Sequence, residues 1–248
     1  MSPVLFLVKR ELLRFLRQRS RWIGALATPI LLWLVLGFGL GENFQNQSSP
    51  NGGGYLSFFF PGALLLTTLF TAIFSNISLI IDRNEGFLQS VLVSPLSQAR
   101  LLFSKVLGGS LLGTLQATLL IPFFVMVDVP FTVSTVFGSI LILFLSAFFI
   151  TTLGLIFAWH ISSVSGYHGV MNLVIMPLWL GSGSVFPLPQ EGMLSFLGLV
   201  NPLSYALRAL NILFSGETLM ISLSTVLALG LFCFVCFCFC LVSCRRQY

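Results

Sequence analysis

The sequence predicts an all-α integral membrane fold: six transmembrane helices, an N-terminal amphipathic interfacial helix, and an extracytoplasmic re-entrant helical hairpin before the last span. Three observations carry that expectation. Of 248 residues, 56% are hydrophobic and only 8% charged, against about 25% charged in soluble domains, and the mean hydropathy is +1.01. The apolar residues fall in runs near the roughly 20 residues that a bilayer crossing needs. The basic residues sit at the ends of those runs and almost all on one predicted side.

The first element, residues 3–21, is amphipathic. At helical spacing Leu5, Val8, Leu12, Phe15 and Leu16 share one face, and Arg10, Arg14, Arg17 and Arg21 share the opposite one. Such a helix lies flat among anionic headgroups, with Lys9 and Arg19 snorkelling at its boundary. The basic run leads straight into an apolar segment, which points to a lipid surface rather than a nucleic-acid arm. Residues 22–40 then form a charge-free span, too long for a signal peptide and followed by no small-residue cleavage site.

Further spans are predicted at 55–81, 106–127, 131–159, 169–185 and 219–242, within a single transmembrane domain covering 1–248. A polar loop separates the first two spans, and the pattern ISSVSGYH at 161–168 breaks the helix between the fourth and fifth. Between 186 and 217, Pro187, Pro189, Glu191 and the pair Asn201–Pro202 interrupt the apolar pattern, so two short helical pieces at 193–200 and 202–214 form the hairpin. With the N-terminus in the cytoplasm, eleven of the twelve basic residues are inside and only Arg208 is outside. Both termini are then cytoplasmic.

No nucleophile elbow, phosphate loop, HExxH pattern or paired carboxylates occur, so no residue is assigned as catalytic. No metal site is predicted either. His160 and His168 lack a neighbouring carboxylate, and the cysteines (Cys233, Cys236, Cys238, Cys240, Cys244) read as small apolar residues in lipid. Without ionisable groups at mid-span, ion coupling is disfavoured and the energy must come from a partner.

The informative segment is 82–105. Asn84 is a predicted helix N-cap with Glu85 in the first turn, Phe87, Leu88, Val91 and Leu92 form an apolar stripe, and Pro95 ends the helix. Ser97 caps the next helix. The stripe suits insertion into a groove on a soluble partner, or packing on this protein's own inner surface. In the second span, Thr67, Thr71, Ser75 and Ser78 alternate with Phe70 and Phe74 beside Asn76, a stripe that suits either a path for an amphiphile or close helix packing. Gln116, Asn172 and Trp179 are weaker candidates for the same path. Gly109 and Gly113 form a GxxxG packing motif.

The segment resembles the corresponding loop of the ABC type-2 transporter permease family in Glu85, Gly86, Leu88, Pro95, Leu96 and Ser97, and Asn201-Pro202-Leu203-Ser204-Tyr205 is similar to the family's motif before the last span. Phe87 and Gln89 depart from the small or hydroxyl residue and the acidic residue expected there. The resemblance implies an exporter permease in a plasma membrane (a bacterial inner membrane), with no cofactor of its own. Its implied partners are a second permease copy, identical or paralogous, and two copies of a separate ATPase that bind ATP and Mg. Glu85, Gly86, Phe87, Leu88, Val91, Leu92 and Pro95 would then belong to the ATPase-docking coupling helix, and Arg10, Arg14, Arg17 and Arg21 to the interfacial helix bracing the ATPase. The cargo classes that fit are a drug-like amphiphile, a lipid or a lipid-linked glycan. The alternative is a membrane scaffold or assembly factor that recruits a cytoplasmic partner without transport.

Overall fold

A computed structural model describes residues 3–41, 54–88, 96–127, 129–130, 132–189, 191–216 and 219–245. The described elements are helical: α1 (Pro3–Arg17), α2 (Arg19–Leu40), α3 (Tyr55–Asn84), α4 (Gln98–Thr118) with a 3-10 segment at Ile121–Val127, α5 (Val133–His160), α6 (Val164–Leu180), α7 (Met193–Val200), α8 (Pro202–Phe214) and α9 (Leu219–Arg245).

The helix α3 is the axis of the bundle. It packs against α2, α4 and α5, while α9 packs on α5 and α8, and α1 lies across α4. In its most apolar stretch 83% of α3 residues are buried, against 22% in α2 and 17% in α9, which carry their apolar side chains on the outside. An outer surface of Leu31, Val35, Phe38, Leu227, Leu231, Phe234 and Phe239 is what lipid would cover. Near one end the core is aromatic: Phe124 meets Phe214 at 5.0 Å and Phe60 at 5.7 Å, and Trp33 lies 5.0 Å from Phe60 while its indole N–H donates to the Leu56 carbonyl.

Small residues let the helices approach. A Cβ on Gly109 would lie 2.6 Å from Thr151 Cγ2 of α5, and one on Gly113 would lie 3.1 Å from Ala147 Cβ. The expected packing role of this pair is therefore met, in contacts between α4 and α5.

Several expectations need correction. Five helical stretches among the described residues are long and apolar enough to cross a membrane: Arg19–Leu40, Tyr55–Asn84, Gln98–Val127, Val133–His160 and Leu223–Cys244. The fifth of the six expected spans, at 169–185, is not among them: it corresponds to α6, which has 17 residues and ends at Leu180. Its length of about 25 Å falls short of the roughly 30 Å hydrocarbon layer. It also starts inside the expected break, because Ser163 caps it by accepting the Gly166 N–H. Only Ile161–Ser163 stays non-helical. Two short helices do occupy 193–200 and 202–214, joined at Asn201.

Asn84 is not an N-cap. It is the last residue of α3, and its side chain donates instead to the Ser162 carbonyl at 3.4 Å. Ser97 does sit at the N-cap of α4 but makes no side-chain capping bond. Apolar runs end at the first charge when read from sequence, whereas α3 continues through Asp82 and α4 already contains Lys105.

Gly109→Val should lower unfolding stability in detergent by about 1–3 kcal/mol through overpacking. Gly24→Ala, where a Cβ meets nothing within 4 Å, should leave it unchanged or raise it by up to about 1 kcal/mol. Thermal unfolding followed by tryptophan fluorescence checks both.

Candidate functional site

The sequence separates Glu11, Ser78, Asp82 and Lys105 by up to 94 positions, yet the fold brings them to one point where α1, α3 and α4 meet. Lys105 on the first turns of α4 directs its ammonium at three groups: Glu11 Oε1 at 2.6 Å, Asp82 Oδ2 at 2.7 Å and Ser78 Oγ at 3.2 Å. An ammonium has three N–H donors, and all three are used. Ser78 and Asp82 are one helical turn apart on α3, so they present to the same neighbour. The Ser78 hydroxyl donates to Glu11 Oε2 at 2.7 Å.

Two arginines of α1 close the cluster. Arg10 donates to Asp82 Oδ1 at 2.9 Å and Oδ2 at 3.2 Å, and Arg14 donates to Asp82 Oδ1. The hydrogen bond with Asp82 holds the Arg10 guanidinium above its ordinary pKa, against the opposite pull of burial. Asp82 is 1% exposed, Glu11 4% and Lys105 7%, so these charges are desolvated and depend on one another. Gly108 allows this arrangement, because a Cβ there would lie 3.2 Å from Glu11 Cβ.

The buried face of α1 is consequently Leu7, Val8, Glu11 and Phe15. Leu5 and Leu16, expected on the apolar face, are exposed. Of the four arginines expected on the opposite face, Arg10 and Arg14 reach inward to Asp82, Arg17 is exposed, and Arg21 belongs to α2 beyond the break at Gln18. A helical wheel counts Glu11 as an outward residue. Its partner Lys105 reverses that choice.

The segment expected to couple to a partner begins directly beyond this cluster. Arg83 donates from Nη1 to the Trp159 carbonyl at 2.6 Å and from Nη2 to the Ile161 carbonyl, so a cation holds the end of α5, where unpaired carbonyls gather. Glu85 is exposed, and Gly86 takes φ of 78°, a left-handed conformation natural to glycine, before Phe87 and Leu88 resume helical geometry. The Arg10 guanidinium lies 3.8 Å from the centre of the Phe87 ring. Arg10 therefore joins Asp82 on one side to the turn after α3 on the other. Leu88 is buried in the core, which places it on the protein's own inner surface. Val91, Leu92 and Pro95 lie outside the described residues.

The hydroxyl stripe of α3 is engaged inside the protomer. Thr67 donates to the Ala63 carbonyl, the single Thr71 hydroxyl proton is shared between the Thr67 carbonyl and Gln116 Oε1, and Asn76 donates to the Thr151 carbonyl at 3.1 Å. Gln116 in turn donates to the Trp22 carbonyl at 3.0 Å, so it ties α4 to α2 and α3. Thr67, Thr71, Ser75, Asn76 and Ser78 are all buried, as α3's central position requires. Phe70 and Phe74 keep partial exposure, and Phe74 meets the ring of His168 on α6 at 6.0 Å. Exposed Asn172 lies one helical turn further along α6, whereas Trp179 is buried and donates to the Gly62 carbonyl.

The segment beginning at Asn201 forms a corner. Asn201 Oδ1 caps α8 by accepting the Leu203 N–H, Pro202 occupies the first helical turn, and Asn201 Nδ2 donates to the Leu178 carbonyl at the end of α6. Tyr205 donates to the Leu199 carbonyl at 2.8 Å, which holds α7 against α8.

Sequence reading singles out the turn after α3 but not the cluster beside it. The available signals were Glu11, a lone acid in a basic helix, and the one-turn spacing of Ser78 and Asp82. Lys105→Met should destabilise the protein by about 3–5 kcal/mol, because Glu11 and Asp82 stay buried without it. Adding Glu11→Leu should recover more than about 1 kcal/mol, the coupling expected of residues in contact. Unfolding of the single and double variants in one detergent measures the cycle.

A sequence profile of the ABC-2 type transporter matches residues 3–215. The chain is 30% identical over 223 residues to ycf38 of Cyanophora paradoxa, a protein provisionally named a transport permease, covering 88% of this chain and 76% of that one. It is 27% identical over 213 residues to the ycf38 of Porphyra purpurea, covering 85% and 73%. The family match and the apolar helices together make this a multi-pass membrane protein, and the chain belongs to the ABC-2 type transporter family.

Proposed function

We propose that this chain is the membrane permease of an ATP-driven exporter, paired with a second copy or a paralogue and served by two copies of a separate ATPase. ATP and Mg bind on those ATPase subunits, while this chain transmits force and forms the path. The observation that carries the proposal is the Arg10 bridge: one guanidinium touches Asp82 of α3 and Phe87 of the coupling turn. A push on that turn would be passed to α1, α3 and α4 together rather than absorbed in a loose loop. The named role of the ycf38 relatives as transport permeases fits the same reading.

In this proposal α6 is a short fifth crossing completed by the segment after it, and α7 with α8 forms a re-entrant hairpin on the extracytoplasmic side. The chain resides in a bacterial inner membrane with both termini in the cytoplasm. Phe70, Phe74, His168 and Asn172 line the path, since they combine exposure with an aromatic and polar character suited to an amphiphile. The cargo is a drug-like amphiphile, a lipid or a lipid-linked glycan. The buried hydroxyls of α3 keep its shape, and of the coupling residues Glu85 and Phe87 are the accessible contacts.

The test is reconstitution with ABC ATPase subunits sought among the genes neighbouring this one. Glu85→Arg should leave insertion intact and reduce permease-stimulated ATP hydrolysis at least about fivefold, the low end of coupling free energies between sites. Stimulation equal to that of the unmodified chain would remove Glu85 from the docking surface. A failure of every neighbouring ATPase to co-purify with the unmodified chain would count against the exporter reading itself.

A further inference from the structure

The cluster beneath α1 contains three cations, Arg10, Arg14 and Lys105, against two carboxylates, Glu11 and Asp82. One positive charge is left over. On the outer side of the same helix a groove of about 720 Å³ is lined by Phe6, Lys9, Arg10, Leu13, Arg14, Arg17 and Gln18. Four of its described lining residues are cationic and none is acidic. Neither Lys9 nor Arg17 forms an ion pair with a described carboxylate, and both are exposed. The groove is therefore a positive site in which Lys9 and Arg17 have no described carboxylate as counter-charge.

Three features say what counter-charge would suit it. Phe6 and Leu13, 62% and 46% exposed, stand in the groove among the basic groups, so its occupant has an apolar part beside its anion. A single non-helical residue, Gln18, separates α1 from the membrane-length helix α2, so the groove opens at the level where that helix enters the membrane. Gln18 itself lines the groove, and its Oε1 is buried with no donor among the described residues. A hydroxyl on the occupant would supply one.

We propose that this groove is a binding site for an anionic phospholipid of the adjoining leaflet. Arg17, Lys9 and the outer sides of Arg10 and Arg14 hold its phosphate, Phe6 and Leu13 hold the start of its acyl chains, and Gln18 accepts from a headgroup hydroxyl such as that of glycerol. The lipid is a resident ligand, distinct from any cargo, and this site stands whether or not the chain exports. Its phosphate balances the surplus charge of the cluster behind it. Lipid composition would thereby act on the same α1 surface that packs against the coupling turn.

The experiment uses the full chain, delipidated in neutral detergent and titrated with dioctanoyl phosphatidylglycerol or dioctanoyl phosphatidylcholine under native mass spectrometry. Phosphatidylglycerol should bind as a discrete ligand and phosphatidylcholine should not. The double variant Lys9→Gln with Arg17→Gln should weaken phosphatidylglycerol binding about thirtyfold, from two basic side chains at about 1 kcal/mol each. Both side chains are exposed and outside the buried cluster, and an unchanged unfolding temperature would verify the fold. Leu13→Ser should also weaken the lipid, while inorganic phosphate should not displace it at comparable concentrations. Equal binding of the two lipids, undiminished binding by the double variant, or displacement by phosphate alone would overturn the proposal.

Discussion

Lys105 sits where three helices meet, and each of its three ammonium donors is committed to a different side chain: Glu11 of α1, and Ser78 and Asp82 of α3. Charges this deeply buried are costly alone and stable only as a set. The set therefore dictates geometry. It turns the Glu11 face of α1 inward, requires the close approach that Gly108 permits, and aligns the ends of α3 and α4. Around it the apolar packing is permissive, because many side-chain combinations would fill the same space. The ionic contacts admit one register of α1 on α4.

The same set explains why the turn after α3 is well placed to receive a force. Arg83 fastens the end of α3 to the end of α5, Arg10 stacks on Phe87, and Gln98 at the start of α4 donates to the Cys244 carbonyl of α9. The boundary of the segment between α3 and α4 is thus tied to five helices. Gly86, with its left-handed backbone, is the one conformationally special residue in the described part of that turn. A stiff frame with a flexible entry suits a lever, in which displacement at the tip is passed on instead of dissipated. On the far side of α6, Asn201 serves as another joint, capping α8 while holding the Leu178 carbonyl.

Much of this architecture is legible from patterns that depend only on local chemistry. Long apolar runs became long helices, and Asn201–Pro202 divides α7 from α8 as a cap followed by proline must. What could not be read depends on partners distant in sequence. Charge at Asp82 and Lys105 marks the edge of a span when each is taken alone, but together they neutralise one another and the helices continue. Glu11 reads as a solvated residue until Lys105 is found beside it. The hydroxyls of α3 have the same spacing whether they face a cleft or another helix, and only the burial of α3 among α2, α4 and α5 distinguishes the two. For α6, a cap at Ser163 moved the start of the helix earlier than an apolar count suggests.

The central claim is that α1 and the C-terminal end of α3 are one rigid body through the Arg10, Asp82 and Lys105 contacts. Spin labels at Leu13→Cys and Asn84→Cys, both exposed positions, test it by pulsed dipolar spectroscopy, with the five native cysteines replaced. In complex with the ATPase, the distance distribution should be single and narrow and should keep its maximum with and without ATP. In Lys105→Met it should broaden. A shift of the maximum on ATP binding in the otherwise unmodified chain would contradict the account, since α1 and the end of α3 would then move apart.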